Sequence, residues 1–391
     1  MSHFVIIGGG IIGSAMGLEI AKRGLGRVTI LEKENALGKH ASGRNSGVIH
    51  SGINQKPGSL KARMCVEGSR RLREFCRSRS VPFRACGTLV VARDSQEVSI
   101  LEQLFQMGQE CSVPDLRMLT SKELNEREPF ANGVSALFSP TGAVVDSLAL
   151  LEAVAEEAKK EGVEYRLQSE VQGIEEGRVY TSKGICEADH IINSAGLYAD
   201  RVAHQMGAGK EYRMIPFRGE YMEVKNCDVR TMIYRLPDLR FPFLSIHLTR
   251  ETNGRVLAGP SAVLAFGREA YEKEWRWGEM ASLFTSRPFL SMAADRQFLK
   301  MAYSNAKTSF SRKGFLREVQ KIIPQVESHQ LIPYRAGIRA QMVNREGRFV
   351  EDILVEYRDD STHILNAVSP GMTCSLAFSE HVVDNLLKNA R

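Results

Sequence analysis

The stretch Gly8-x-Gly10-x-x-Gly13 carries the strongest chemical signal in this 391-residue chain. Its spacing suits a dinucleotide. Gly8 permits a tight turn, Gly10 lets a pyrophosphate approach the backbone, and Gly13 lets helix and strand pack closely. The helix that follows offers unpaired N–H groups to the phosphates. Glu32 comes 19 residues after Gly13. It can accept hydrogen bonds from both ribose hydroxyls, and an acid there disfavours a 2′-phosphate. A second cluster reads His40-Ala41-Ser42-Gly43-Arg44-Asn45-Ser46-Gly47-Val48-Ile49-His50-Ser51-Gly52. Its small residues permit close approach of a flat ring. Ser42, Arg44, Asn45 and Ser46 supply donors to phosphate or ring heteroatoms. A plain glycine loop accounts for the glycines but not for the clustered donors. The two stretches are expected to hold two parts of one large cofactor.

The elements that must position these groups surround them. Phe4-Val5-Ile6-Ile7 is a short β-branched apolar run and predicts a buried parallel strand. A helix over 14–23 and a strand over 28–31 complete a βαβ unit. Residues 34–63 show little strand or helix pattern, which inside a compact protein points to function or disorder. Helices are expected over 64–79, 95–111, 121–127 and 147–160, and from Met372 to Asn389. Strands are expected over 81–93 around a turn at Gly87, near 165–181, at 190–193, and over 349–366 around Asp359-Asp360. Residues 212–264 look strand-like, and 269–330 look mostly helical. Parallel-strand features thus occur at both chain ends and near 190, with antiparallel material between. One nucleotide domain of discontinuous segments is the expected architecture.

Composition narrows the class. Apolar residues make up 43% and charged residues 25%, as in soluble globular proteins. No run approaches the ~18 apolar residues of a membrane span. The N-terminus lacks a basic region and a cleavage site, so a cytoplasmic chain is expected. Seven cysteines, an odd number with no CxxC pair, point away from disulfides and from a metal site. The net charge of +6 is mild and permits acidic substrates or an anionic membrane surface. No basic and aromatic array suggests nucleic acid.

The wording of several stretches resembles the L-2-hydroxyglutarate dehydrogenase/oxidase family, within the FAD-dependent D-amino-acid oxidase superfamily. The stretches are 43–53, Lys56-Pro57-Gly58-Ser59-Leu60-Lys61, Pro216-Phe217-Arg218-Gly219-Glu220-Tyr221, 241–247, Gly259-Pro260-x-Ala262-Val263-Leu264-Ala265-Phe266, and Ala336-Gly337-Ile338-Arg339-Ala340-Gln341. The resemblance implies FAD, oxidation of L-2-hydroxyglutarate to 2-oxoglutarate, and an α/β fold with an α+β second domain. A Rossmann-like FAD-binding domain would take 1–80, 145–210 and 335–391. An antiparallel-sheet substrate domain would take 81–144 and 211–334. Cys374 does not match the position of a covalent flavin cysteine and is expected to pack.

The resemblance also implies roles by position. Ile12 and Lys33 join the glycine loop and Glu32 as cofactor contacts. Val171 would contact the adenine, Ala195-Gly196 the pyrophosphate, and Gly371-Met372-Thr373 the flavin N1–C2=O edge, where negative charge develops. An ordinary loop glycine is the bland alternative for Gly371. Oxidation needs a base for the hydroxyl proton while hydride leaves C2 for flavin N5. His50 and His247 are the candidates, since a neutral imidazole has a suitable pKa. Arg339 matches the position that grips the α-carboxylate, and Arg335 could support it. Arg218, Arg240 and Tyr221 are candidates for the distal carboxylate. A solvated surface arginine is the ordinary alternative for Arg218 and Arg240.

The electron acceptor stays open between a quinone, oxygen and a carrier protein. Residues 310–322 mix cations with apolar side chains, so peripheral contact at the inner face of a membrane stays open beside an ordinary surface helix. Two other enzyme readings remain. One is an amino-acid or amine oxidoreductase on the same fold. The other is an NAD dehydrogenase, against which the second loop argues. A flavin-binding redox subunit without turnover is the non-enzymatic alternative.

Overall fold

The apolar strand His3–Ile7 is buried along its whole length, as a central parallel strand requires. In the computed structural model, which describes residues 2–237 and 246–389, it lies inside a six-stranded sheet. The order across that sheet is Leu354–Tyr357, Ser361–Asn366, His190–Asn193, His3–Ile7, Arg27–Leu31 and Glu164–Arg166. All neighbours are parallel except the edge pair Leu354–Tyr357 and Ser361–Asn366. Helices Ile11–Lys22, Leu60–Ser78, Ser147–Lys160 and Gly371–Asn389 pack together beside it. Their shared core holds Ile6, Met16, Ile30, Leu72, Val154 and Phe378. Cys374 is buried in this core, as a packing residue should be. The other face meets a small antiparallel sheet of Val171–Glu175, Arg178–Thr181 and Gly184–Glu187 through Val5, Ile7, Leu31 and Val179.

A nine-stranded sheet forms the second layer. Its spine is the antiparallel pair Tyr212–Val224 and Leu331–Asn344, matched along most of both strands. Helices Trp277–Phe284, Arg287–Ala293, Arg296–Ser309 and Arg312–Gln320 fill the expected helical stretch. Phe315 and Val319 of the last one are buried against the sheet with Leu89, Ile233 and Leu248. In the basic, apolar stretch 310–322, Phe315, Val319 and Ile322 therefore face the core, while Phe310 is exposed.

Sheet membership groups some segments differently from the expected domains. Leu331–Asn344 was expected, from 335 on, with the cofactor segments, but it pairs with Tyr212–Val224 in the nine-stranded sheet. Phe83–Arg84 and residues 143–144 were expected with the substrate side. Val48–Ile49 and Phe83–Arg84 instead pair on either side of Ala143–Val145, and Ala143 and Val145 pack in the core of the six-stranded sheet. Strand partners are non-local, and no local composition shift marks where a chain changes sheets.

Candidate active site

The glycine turn is tight because neighbouring backbone leaves no room for side chains. Gly8 has φ 107°, and its N–H donates to the Leu31 carbonyl at 2.8 Å. A Cβ on Gly13 would lie 2.1 Å from the Gly8 carbonyl oxygen and 2.6 Å from Ser194 Oγ. Helix Ile11–Lys22 has no side-chain cap of its own. Ser42 from the second loop supplies one, accepting from the Ile11 N–H at 3.0 Å. The Glu32 carboxylate accepts from the N–H groups of Gly9 and Glu34, each at 3.0 Å. The two stretches singled out by composition thus meet at one helix N-terminus.

Together they line a cavity of about 550 Å³. Gly8, Gly10, Ile12, Glu32, Lys33, Ser42, Arg44, Asn45, Ser46, Val171, Ala195, Gly196, Gly371, Met372 and Thr373 all face it, while Gly13 packs behind. Some of these side chains shape the loop instead of pointing donors outward. Asn45 Nδ2 donates to the carbonyls of Ala41 and Ser42, and its Oδ1 accepts from the Gly47 N–H. Arg44 Nε donates to the Lys39 carbonyl at 2.8 Å. Thr373 Oγ1 accepts from the His50 N–H at 3.0 Å, tying the second loop to the last helix.

The nine-stranded sheet supplies the opposite wall. Tyr221, His247 and Arg339 line the same cavity as His50. His247 is buried at the start of strand His247–Arg250, its ring stacked on Tyr234 with centroids 4.1 Å apart. Burial, with Arg339 nearby, lowers His50 to about 4. Burial also lowers Arg339, and the Tyr221 hydroxyl offsets part of that effect. Gly337 brings the strand close. A Cβ there would lie 2.2 Å from the Arg44 carbonyl oxygen.

Two expected substrate arginines do not face the cavity. Arg218 is buried, bonds Glu220 at 2.9 Å and donates from Nε to the Tyr271 carbonyl. It alternates with Phe217 and Gly219, which do face the cavity, so pleating turns it away. Arg335 shares a strand face with Arg339 but meets the second loop first. Its guanidinium donates to the carbonyls of Gly43 at 3.1 Å and Asn45 at 2.8 Å, and it pairs with Glu251. Its guanidinium is engaged by the loop. Arg240 lies outside the described residues. Tyr234, stacked on His247, and Ser194, which bonds the Gly8 carbonyl, were not singled out in the sequence. A lone tyrosine or serine in or beside a strand gives no signal.

The cavity fits FAD. The glycine turn, the helix N-terminus and Glu32 would take the pyrophosphate and ribose, and small residues of the second loop leave space for the flavin ring. Comparison with known proteins agrees. A model of FAD-dependent oxidoreductases, the DAO family, matches residues 3–385. L-2-hydroxyglutarate dehydrogenase of Indibacter alkaliphilus is 39% identical, with 98% of each chain covered. The Escherichia coli K12 enzyme of that name is 34% identical, over 99% of this chain and 93% of its own. The human mitochondrial one is 33% identical, over 98% and 88%. Among solved structures, FAD-bound L-α-glycerophosphate oxidase from Mycoplasma pneumoniae superposes with a TM-score of 0.78. It is 23% identical and covers 99% of this chain and 95% of its own, a likeness of fold. The chain belongs to the FAD-dependent oxidoreductases of the DAO family and, within them, to the L-2-hydroxyglutarate dehydrogenases.

Proposed function

We propose that this chain oxidises L-2-hydroxyglutarate to 2-oxoglutarate, with His247 as the base. The observation that carries this reading is one cavity shared by the glycine turn and by Tyr221, His247 and Arg339. FAD, when bound, would supply the two-electron acceptor for the hydride that leaves C2. His247 takes the hydroxyl proton. Arg339 holds the α-carboxylate by charge-assisted hydrogen bonds. The Tyr221 hydroxyl donates to the distal carboxylate. Backbone N–H groups at Gly371-Met372-Thr373 favour negative charge at the flavin carbonyl edge. His50 stays neutral beside Arg339, and a group lowered to about 4 is a poor base near neutrality. The final electron acceptor is a quinone, oxygen or a carrier protein.

An anaerobic visible spectrum of the purified protein tests this directly. L-2-Hydroxyglutarate should bleach the flavin band, and the D-enantiomer should not. A band that amino acids bleach and neither enantiomer does would shift the reading to an amino-acid oxidoreductase.

The outer face of helix Arg296–Ser309 supports peripheral docking on an anionic membrane. Arg296, Leu299, Lys300, Tyr303 and Lys307 are exposed at helical spacing, and the helix carries no carboxylate. Trp275 and Trp277 are also exposed, with rings 5.4 Å apart. No helix among the described residues is long and apolar enough to cross a membrane. The protein should sediment with anionic vesicles and not with neutral ones. Equal recovery in both supernatants would remove the membrane from the reading.

A further inference from the structure

Residues 266–276 leave the nine-stranded sheet and reach the rim of the cavity. There they are tied to separate parts of the cofactor cradle. Glu269 accepts from Lys33 Nζ at 2.6 Å and from the Tyr198 hydroxyl at 2.9 Å. The Tyr271 hydroxyl stands 2.8 Å from His40 Nδ1, and the Arg44 guanidinium lies over its ring at 4.2 Å. His40 Nε2 stands 2.9 Å from Glu34, which Lys33 also bonds. Lys33, His40, Arg44 and Tyr198 all line the cavity.

The segment is itself held from behind. Arg268 is buried and makes two bonds to the Asp200 carboxylate, at 2.6 and 2.9 Å. Its N–H donates to Glu279 at 2.8 Å. Arg218 fixes the Tyr271 carbonyl at 2.7 Å. Glu34, His40 and Glu269 bring three ligand-type atoms within 4.8 Å of one another. The Lys33 ammonium bonds both carboxylates and supplies the positive charge there.

We propose that residues 266–276 form a clasp that holds the cradle loop closed over bound FAD, with Glu269 and Tyr271 as its positioning residues. Residues 34–47 contain no helix or strand, and the loop's own bonds lie at its far end, at residues 39–47. The contacts above add ties at Lys33, Glu34 and His40 from a segment more than two hundred residues away in sequence. Burial alone would lower Lys33, but its bonds to Glu269 and Glu34 prevail and raise it. Glu269 moves the opposite way: burial raises it, and its bonds to Lys33 and Tyr198 prevail and lower it. Both groups therefore remain charged and paired near neutrality. With both side chains three-quarters or more buried, this pair is screened less than a surface pair.

The test measures FAD release, not turnover, so it stands or falls apart from the substrate reading. Holoenzyme is diluted and the rise of free-flavin fluorescence is followed. Glu269→Gln is expected to release FAD about tenfold faster, the scale of losing one largely buried ionic contact. Tyr271→Ala should act similarly. Tyr271→Phe keeps the ring under Arg44 and should act less. High salt should speed release from the wild type and lose most of that effect in Glu269→Gln. The thermal midpoint of FAD-free protein is the control for a merely structural role. Release within twofold of wild type in Glu269→Gln and Tyr271→Ala overturns the clasp. So does faster release matched by an equal loss of stability in the FAD-free protein, or no release from any form.

Discussion

Gly8, Gly10 and Gly13 sit on one strand-to-helix turn, whereas Tyr221, His247 and Arg339 come from three strands of the nine-stranded sheet. The first group works by having no side chains. Its function is the close approach of backbone to ligand, and at Gly8 and Gly13 neighbouring backbone already fills the space that a Cβ would need. The second group works only through side chains, which strand pairing carries into one cavity. The two walls should therefore fail differently. Adding an atom breaks the cradle, and removing atoms silences the opposite wall while leaving its fold in place.

The largest effect is expected from Gly13→Ala. The new methyl would lie 2.1 Å from the Gly8 carbonyl oxygen, so the turn must open. The purified variant should carry no flavin band and lose about 3 kcal/mol or more of stability, as overpacked sites do. A normal flavin content would show that the cradle tolerates what its geometry forbids. His247→Ala is the opposite break. Turnover per bound flavin should fall roughly 10²–10⁴-fold, the usual share of a general base, with FAD content unchanged. Equal activity per flavin would remove His247 from the chemistry.

Two arginines sharpen the contrast. Arg339→Met should lower kcat/KM for L-2-hydroxyglutarate about 100-fold, the cost of leaving a carboxylate without its charged partner. Arg218→Met should leave KM within about twofold. It should instead cost about 1 kcal/mol of stability, because the Tyr271 carbonyl loses its donor while Glu220 keeps Lys273 and Ser309. A large KM change in that variant would return Arg218 to the substrate site.

The smallest effect is on acid stability. His50 is lowered by burial to about 4 from its ordinary 6.5. Between those values the unfolded chain binds a proton that the folded protein does not. Stability should therefore be full above 6.5 and be lost as pH falls toward 4, by at most about 3 kcal/mol. Buried His363, lowered likewise, adds in the same direction. Urea midpoints at pH 4.5 and 7 check this, and His50→Gln should flatten part of the slope.

Much of the cradle is legible in the chain because its logic is local. A β-branched run, a glycine spacing and an acid at a fixed distance specify a βαβ unit wherever it occurs. The loop donors were legible as a cluster, but their jobs were not. Asn45 and Arg44 bond the loop's own carbonyls, which only its folded path brings within reach. The second layer was legible as strand and helix content. Its strand pairing was not, because Leu331–Asn344 takes its partner from more than a hundred residues away.

The sequence by itself determined the cofactor class, the parallel-sheet unit and a short set of candidate side chains. Tertiary structure decided which of them face the cavity. Along a pleated strand each step of one residue reverses the face, so Phe217 and Gly219 turn inward and Arg218 turns away. Arg335 and Arg339 share a face, yet the loop at Gly43 and Asn45 intercepts the first and leaves the cavity to the second. Register and the path of a distant loop settle such outcomes, and neither is written in the spacing of neighbouring residues.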